Sequence, residues 1–174
     1  EAPTEQASSN LLAEVTQNAD KGQNTGIELV LNQQLGSKVR LNANGNIYRN
    51  KIDAFSIVNA YPSNIPFIGE KQSIVSGNAK INLIAKIFKD AEFQVTGTYL
   101  ARDIIPQGKI LSRYSIDAGL TKTIQNGKGE IFINASDILN TLVMRYEIEG
   151  TTFSLISDDY YETQVVRVGY QYRF

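Results

Sequence analysis

From Val166 to Phe174 the chain alternates without interruption. Val166, Val168, Tyr170, Tyr172 and Phe174 fall on one side; Arg167, Gly169, Gln171 and Arg173 fall on the other. A period of two is a strand with one apolar and one polar face. A soluble domain that left a Tyr-x-Tyr-x-Phe edge in water would invite pairing with other chains. A closed membrane barrel has no free edge and can end this way. This segment therefore points to an all-β fold and sets the question of which face meets lipid.

The same alternation recurs upstream. Residues 25–35 put Ile27, Leu29 and Leu31 on one face. Residues 38–50 set Val39, Leu41, Ala43 and Ile47 against Arg40, Asn42, Asn44 and Asn46. Residues 73–88, 91–103, 110–124, 129–149 and 160–174 follow the pattern, with 129–149 as one long strand and 10–19 as a weaker candidate. A short helix over 5–16 is a faint alternative to the latter. Residues 1–9 are expected to be disordered or a linker, and 10–174 to form barrel strands. Short turns are expected near Gly36-Ser37, Lys89-Asp90 and Asn126-Gly127, and long links at 19–25, 51–72, 104–109 and 150–159. Short turns on one rim and long loops on the other are the layout of an outer-membrane barrel. The predicted fold class is thus an antiparallel up-and-down outer-membrane-type β-barrel segment of about eight strands.

Composition narrows the chemistry. Among 174 residues, 17 are basic and 18 acidic, so there is no cationic surplus for nucleic acid. Cysteine and histidine are both absent, which removes disulfides, thiolate ligands, the commonest metal ligand and the commonest general base. Serine and threonine abound, yet no nucleophile–base pair stands out. No catalytic role and no cofactor are expected. No run of about 18 apolar residues marks a transmembrane helix, a test that strands evade. Glu1 opens a polar stretch without an initiating methionine, which reads as a processed or cut chain.

Alternation alone does not say which face points outward, because a soluble lipocalin-type barrel alternates too. The polar faces are rich in Arg, Lys, Asp, Glu, Asn and Thr, as suits a wet lumen. The apolar faces are almost free of charge across their middles, where a Lys or Arg costs roughly 2–4 kcal/mol at the bilayer midplane. Aromatics gather toward strand ends, at Phe93, Tyr114, Tyr146, Tyr160, Tyr170, Tyr172 and Phe174, as in interfacial girdles. Tyr99 is an exception near mid-band. Asp137 would meet lipid if 129–149 kept its phase, unless a bulge at Ser136–Asn140 turned it inward. Bilayer-facing is the preferred reading, with a soluble lipid-binding barrel as the alternative.

Four stretches carry a family likeness. Ile105-Pro106-Gln107-Gly108-Lys109-Ile110 with Arg113-Tyr114-Ser115-Ile116-Asp117-Ala118-Gly119-Leu120 resembles the penultimate hairpin of Bacteroidetes-type TonB-dependent outer-membrane receptors. Gly127 to Thr141, with its Asp137-Ile138-Leu139-Asn140 step, resembles that family's last upward strand. Val165 to Phe174 resembles its closing strand and the terminal signal read by the barrel-insertion machinery, which would rest on Val166, Val168, Tyr170, Tyr172 and Phe174. Thr25-Gly26-Ile27-Glu28-Leu29 resembles a strand opening found further upstream in that family. The resemblance implies a parent barrel of about 22 strands with an N-terminal plug, of which this chain would be the C-terminal part. It further implies import of an iron chelate, cobalamin, a glycan or a peptide across the bacterial outer membrane. The implied partners are outer-membrane lipid, the insertion machinery and a TonB-type energy coupler acting through the missing plug. A self-contained eight-stranded adhesin or structural barrel is the alternative within the membrane class.

Other motifs have plainer readings. Gly127-Lys128-Gly129 lacks the spacing of a phosphate loop, and Asn126-Gly127 is a hairpin turn. Asp158-Asp159, with Glu147, Glu149 and Glu162, has the oxygens for a calcium ion, but a solvated outer loop is expected. Arg113/Asp117 and Glu92/Arg102 are expected to hold the wall in register through cross-strand pairing.

Overall fold

A computed structural model describes residues 2–5, 12–15, 21–59, 64–150 and 153–174. Fifteen strands occur in them: β1 (Ala2–Glu5), β2 (Leu12–Val15), β3 (Gly22–Leu35), β4 (Val39–Ile52), β5 (Phe55–Asn59), β6 (Ile65–Gly69), β7 (Gln72–Phe88), β8 (Ala91–Leu100), β9 (Asp103–Ile105), β10 (Gly108–Ile110), β11 (Arg113–Ile124), β12 (Gly129–Ser136), β13 (Met144–Glu149), β14 (Ser154–Asp159) and β15 (Val165–Tyr172). The fold is all-β, and no α-helix is present among the described residues; of the helix alternative over 5–16, Leu12–Val15 is a strand, and 6–11 and 16 lie outside the described residues.

Seven strands form one antiparallel sheet in the order β15-β12-β11-β8-β7-β4-β3. Its register runs straight across. The row Leu35, Val39, Ala85, Phe93, Leu120, Ile133, Val168 crosses all seven strands. The row two residues on reads Gln33, Leu41, Leu83, Val95, Ala118, Ala135, Val166. Between them, on the opposite face, lie Gln34, Arg40, Ile84, Gln94, Gly119, Asn134 and Arg167. Because side chains alternate along a strand, this register keeps one face mainly apolar and the other mainly polar, with Gln33 and Ile84 as exceptions in these rows and one register shift between Lys86 and Phe88.

One rim carries the tight turns 36–38, 89–90 and 125–128; the other carries the links 53–71, 101–112 and 137–164. Gln125, Asn126 and Gly127 have φ of 53°, 54° and 93°, so the Asn-Gly pair makes the turn it predicts. Each of the three long links contains a hairpin of its own. β5 pairs with β6, and β9–β10 joins β13–β14 into a second, four-stranded sheet through β10 and β13.

Several expectations need correction. The stretch 129–149 is not one strand: β12 stops at Ser136, and β13 lies in the other sheet. The cause is a turn in which Asp137 and Asn140 take φ of 43° and 53°; it is not a bulge, and the strand does not continue through it. Leu12–Val15 is a strand, but it pairs with Ala2–Glu5 and not with β3. Segments 91–103 and 110–124 each shed their loop-side ends into β9 and β10. Tyr99 is therefore one residue from the end of β8, opposite Tyr114, and belongs with the aromatics at strand ends. Arg113 and Asp117 share a strand and form no ion pair among the described residues, and Glu92 meets Lys86 at 4.0 Å instead of Arg102.

Candidate functional site

The distribution of burial is inverted relative to a water-soluble protein. The apolar face is bare: Ile27 is 70 % exposed and Val168 71 %. Three of the buried polar residues, Ser76, Thr96 and Ser115, sit on the polar face. The Thr96 hydroxyl donates to Asn82 Oδ1 at 3.1 Å across β8 and β7. The link 101–112 folds against this polar side, where Tyr48 Oη and Asn50 Nδ2 donate to the Asp103 carboxylate at 2.6 and 2.7 Å. Ile104 of the same link joins Ile52 and Phe55 in a small apolar cluster at the long-link rim. Loops thus cover the polar side, and nothing described covers the apolar one. That is the arrangement of a lumen wall backed by lipid, with Asn32, Asn42, Asn82, Thr96 and Asp117 making one continuous lumen-side row.

The residues expected to form a terminal assembly signal lie together on the bare side. Val166, Val168, Tyr170 and Tyr172 project from the apolar face of β15, and Phe174 meets Tyr172 edge to face at 5.4 Å. Tyr170 donates its hydroxyl to Gln125 Oε1 at 2.8 Å. Its ring lies in the apolar band and its polar tip reaches the turn, which is how an interfacial tyrosine sits.

At the opposite rim the links enclose a cleft of about 540 Å³, lined by residues 66–72 and 106–109 with Glu147, Glu149 and Gly150. Its charged lining is mixed: Glu70, Glu147 and Glu149 with Lys71 and Lys109. Gln107 is only 7 % exposed; its carbonyl accepts the Glu149 N–H at 2.9 Å, and its Oε1 has no partner among the described residues. Gly108, at φ +146°, lets β10 lie against β13, since a Cβ there would collide with the Glu147 carbonyl. Such a cleft can take a polar solute bearing hydrogen-bond donors. Sequence reasoning missed it as a site. The Pro106-Gln107-Gly108 turn was visible, but its partners at 66–72 and 147–150 are distant along the chain.

The carboxylates considered for calcium are dispersed. Asp158 pairs with Arg145 at 3.3 Å, Asp159 accepts from the Ser157 hydroxyl, and Glu147 and Glu149 line the cleft. No cluster of three candidate metal ligands converges among the described residues.

Asp137 does not face lipid. It is 2 % exposed and closes the turn beyond β12. Its carboxylate accepts from the N–H of Thr141 (3.0 Å), the N–H of Leu142 (3.1 Å) and the hydroxyl of Thr163 (2.6 Å). Its own N–H donates to Asp117 Oδ1 at 2.8 Å. Burial works to raise the Asp137 carboxyl; the hydrogen bonds from Thr163, Thr141 and Leu142 outweigh it and hold the group below the ordinary aspartate range. A group depressed in the folded state adds stability above its unfolded pKa and loses it as pH falls through the folded value. Thermal stability of the detergent-solubilised protein is therefore expected to drop as pH falls below about 4. Asp137→Asn should flatten that part of the profile, and an unchanged acid limb would refute the assignment.

A family model described as "Outer membrane protein beta-barrel family" matches residues 1–172. No curated protein and no solved structure matches the chain.

Proposed function

This chain belongs to the outer membrane protein β-barrel family, and on that premise we propose that it is the C-terminal wall of a TonB-dependent receptor. Its location is the bacterial outer membrane. The proposed role is passage rather than catalysis: import of an iron chelate, cobalamin, a glycan or a peptide. The observation that carries this reading is the open sheet. Among the described residues β3 pairs only with β4, and β15 only with β12, so both outer edges are free. In hydrocarbon an unpaired edge costs several kcal/mol per unsatisfied group. Further strands between β15 and β3 would satisfy both edges and widen the lumen beyond what seven strands enclose. The mixed polar cleft among the long links suits capture of a polar cargo, and the Asn/Thr-rich wall suits contact with a plug. The terminal strand β15 would present the signal that the insertion machinery reads, and the energy coupler would act through the plug.

The test begins with the gene. The reading frame ahead of Glu1 should encode a plug and additional strands, and uptake by the intact protein should cease when the energy coupler is deleted. A secretion signal directly ahead of Glu1 would overturn the proposal. So would refolding of the isolated chain into a closed, heat-modifiable monomer, which is the outcome expected of a small self-contained barrel.

A further inference from the structure

We infer that the short-turn rim is a basic collar that binds the phosphate headgroups of anionic phospholipid in the leaflet it meets. Each tight turn brings a cation to this rim: Lys38 after Gly36-Ser37, Lys89 between β7 and β8, and Lys128 after Asn126-Gly127. Lys122 and Arg173 stand beside them near the ends of β11 and β15. All five are exposed, and none has a carboxylate within ion-pair distance among the described residues. The carboxylates at this level are few. Glu92 is taken by Lys86, leaving Asp90 and Glu130.

Height and direction identify the occupant. Lys122 is on the apolar face, in the row that runs from Ala91 through Lys122 and Ile131 to Tyr170. Tyr170 marks the depth of that row, because its hydroxyl reaches Gln125 in the adjacent turn. An ammonium on the lipid side at the level of an interfacial tyrosine hydroxyl lies where phospholipid phosphates lie. Lys38, Lys89 and Lys128 carry the positive potential along the turns on the same rim. The long-link rim is different in kind: Lys51 pairs with Asp53 at 2.9 Å, Arg145 pairs with Asp158, and Glu70, Glu147 and Glu149 offset Lys71 and Lys109. Short turns face the periplasm in such barrels. The collar therefore meets the phospholipid leaflet, and it would fix the depth of the wall electrostatically where the aromatic girdle fixes it by burial.

The experiment uses the intact protein in nanodiscs of phosphatidylethanolamine with and without phosphatidylglycerol, and reads the lipid that remains bound by native mass spectrometry. Wild type should retain phosphatidylglycerol at about threefold or more over its bulk fraction, and lose that enrichment at high salt. A variant with Lys38, Lys89, Lys122, Lys128 and Arg173 all changed to Gln should show no enrichment. Lys122→Gln alone, which leaves the turns intact, should lower it partially. Lys51→Gln with Lys71→Gln and Lys109→Gln, on the opposite rim, should leave it unchanged. Equal retention of both lipids by wild type, or full enrichment in the five-residue variant, would overturn the inference. Displacement of the bound lipid by millimolar inorganic phosphate would also overturn it, by showing a site for free anion instead of a leaflet.

Discussion

Asp137→Ala is expected to cost about 3 kcal/mol or more of stability and to reduce sharply the amount of correctly assembled protein in the membrane. The substitution strips an acceptor from the Thr141 and Leu142 amides and from the Thr163 hydroxyl at one buried point. It also places alanine at φ 43°, a conformation that aspartate tolerates better. The consequence reaches beyond the turn. Thr163 lies at the far end of the 137–164 link, so one carboxylate ties the departure of the chain from β12 to its return as β15. The Gln164 side chain reinforces the closure by donating to the Ile138 carbonyl at 2.9 Å. Without the tie, the register of β15 on β12 rests on strand pairing and on the weaker Gln164–Ile138 bond. Asp137→Asn keeps one acceptor oxygen and should lose about 1–2 kcal/mol; Thr163→Val, which removes a single donor, should lose a similar amount. Urea midpoints of heat-modifiable protein across this series provide the check. An alanine variant as stable as wild type would mean that the turn is held by its backbone bonds, such as Ile138 N–H to the Ile116 carbonyl.

The contrast between Asp137 and the sheet shows what kind of information a linear chain exposes. The seven main strands were readable because period-two alternation is a local property that needs no knowledge of partners. The turns at Gly36, Lys89-Asp90 and Asn126-Gly127 were readable because their residue types meet local backbone demands. Asp137 was misplaced because its turn is stabilised chiefly by partners that pattern does not reveal: Asp117 on the preceding strand and Thr163 at the end of the link. The apolar residues after it, Ile138 and Leu139, imitate a continuing strand. The charge pairs failed for a related reason. Alternation assigns Glu92 to a face, but only the β7–β8 register makes Lys86 its neighbour. The loop-rim cleft was least legible of all. Lys109 is opposite Glu147 only because two links that are far apart in sequence share a ladder, and the third wall of the cleft comes from residues 66–72.

The largest effect expected on the sheet itself comes from two adjacent residues at one height. Leu41 faces Gln33 and Leu83 on the apolar side, and Asn42 faces Asn32 and Asn82 on the polar side. At about 3.4 Å per residue and a tilt near 40°, Leu41, in the fourth position after Ser37, is about 10 Å above the short-turn rim, inside an apolar band about 25 Å tall. Leu41→Arg should therefore cost about 2–4 kcal/mol in a bilayer, while Asn42→Arg, one residue away on a wet wall with neutral neighbours, should cost less than about 0.5 kcal/mol. Depth supplies the decisive comparison. Ile124→Arg, on the apolar face at the short-turn rim, should fall to about 0–1 kcal/mol because the penalty fades toward the interface. A soluble lipid-binding barrel predicts something else. Its apolar face would be a protein interior, and arginine would be costly at Leu41 and Ile124 alike, without reference to bilayer depth. Equilibrium unfolding of the three variants from lipid vesicles separates the two cases. A flat profile between Leu41 and Ile124 would place protein, not lipid, against this face.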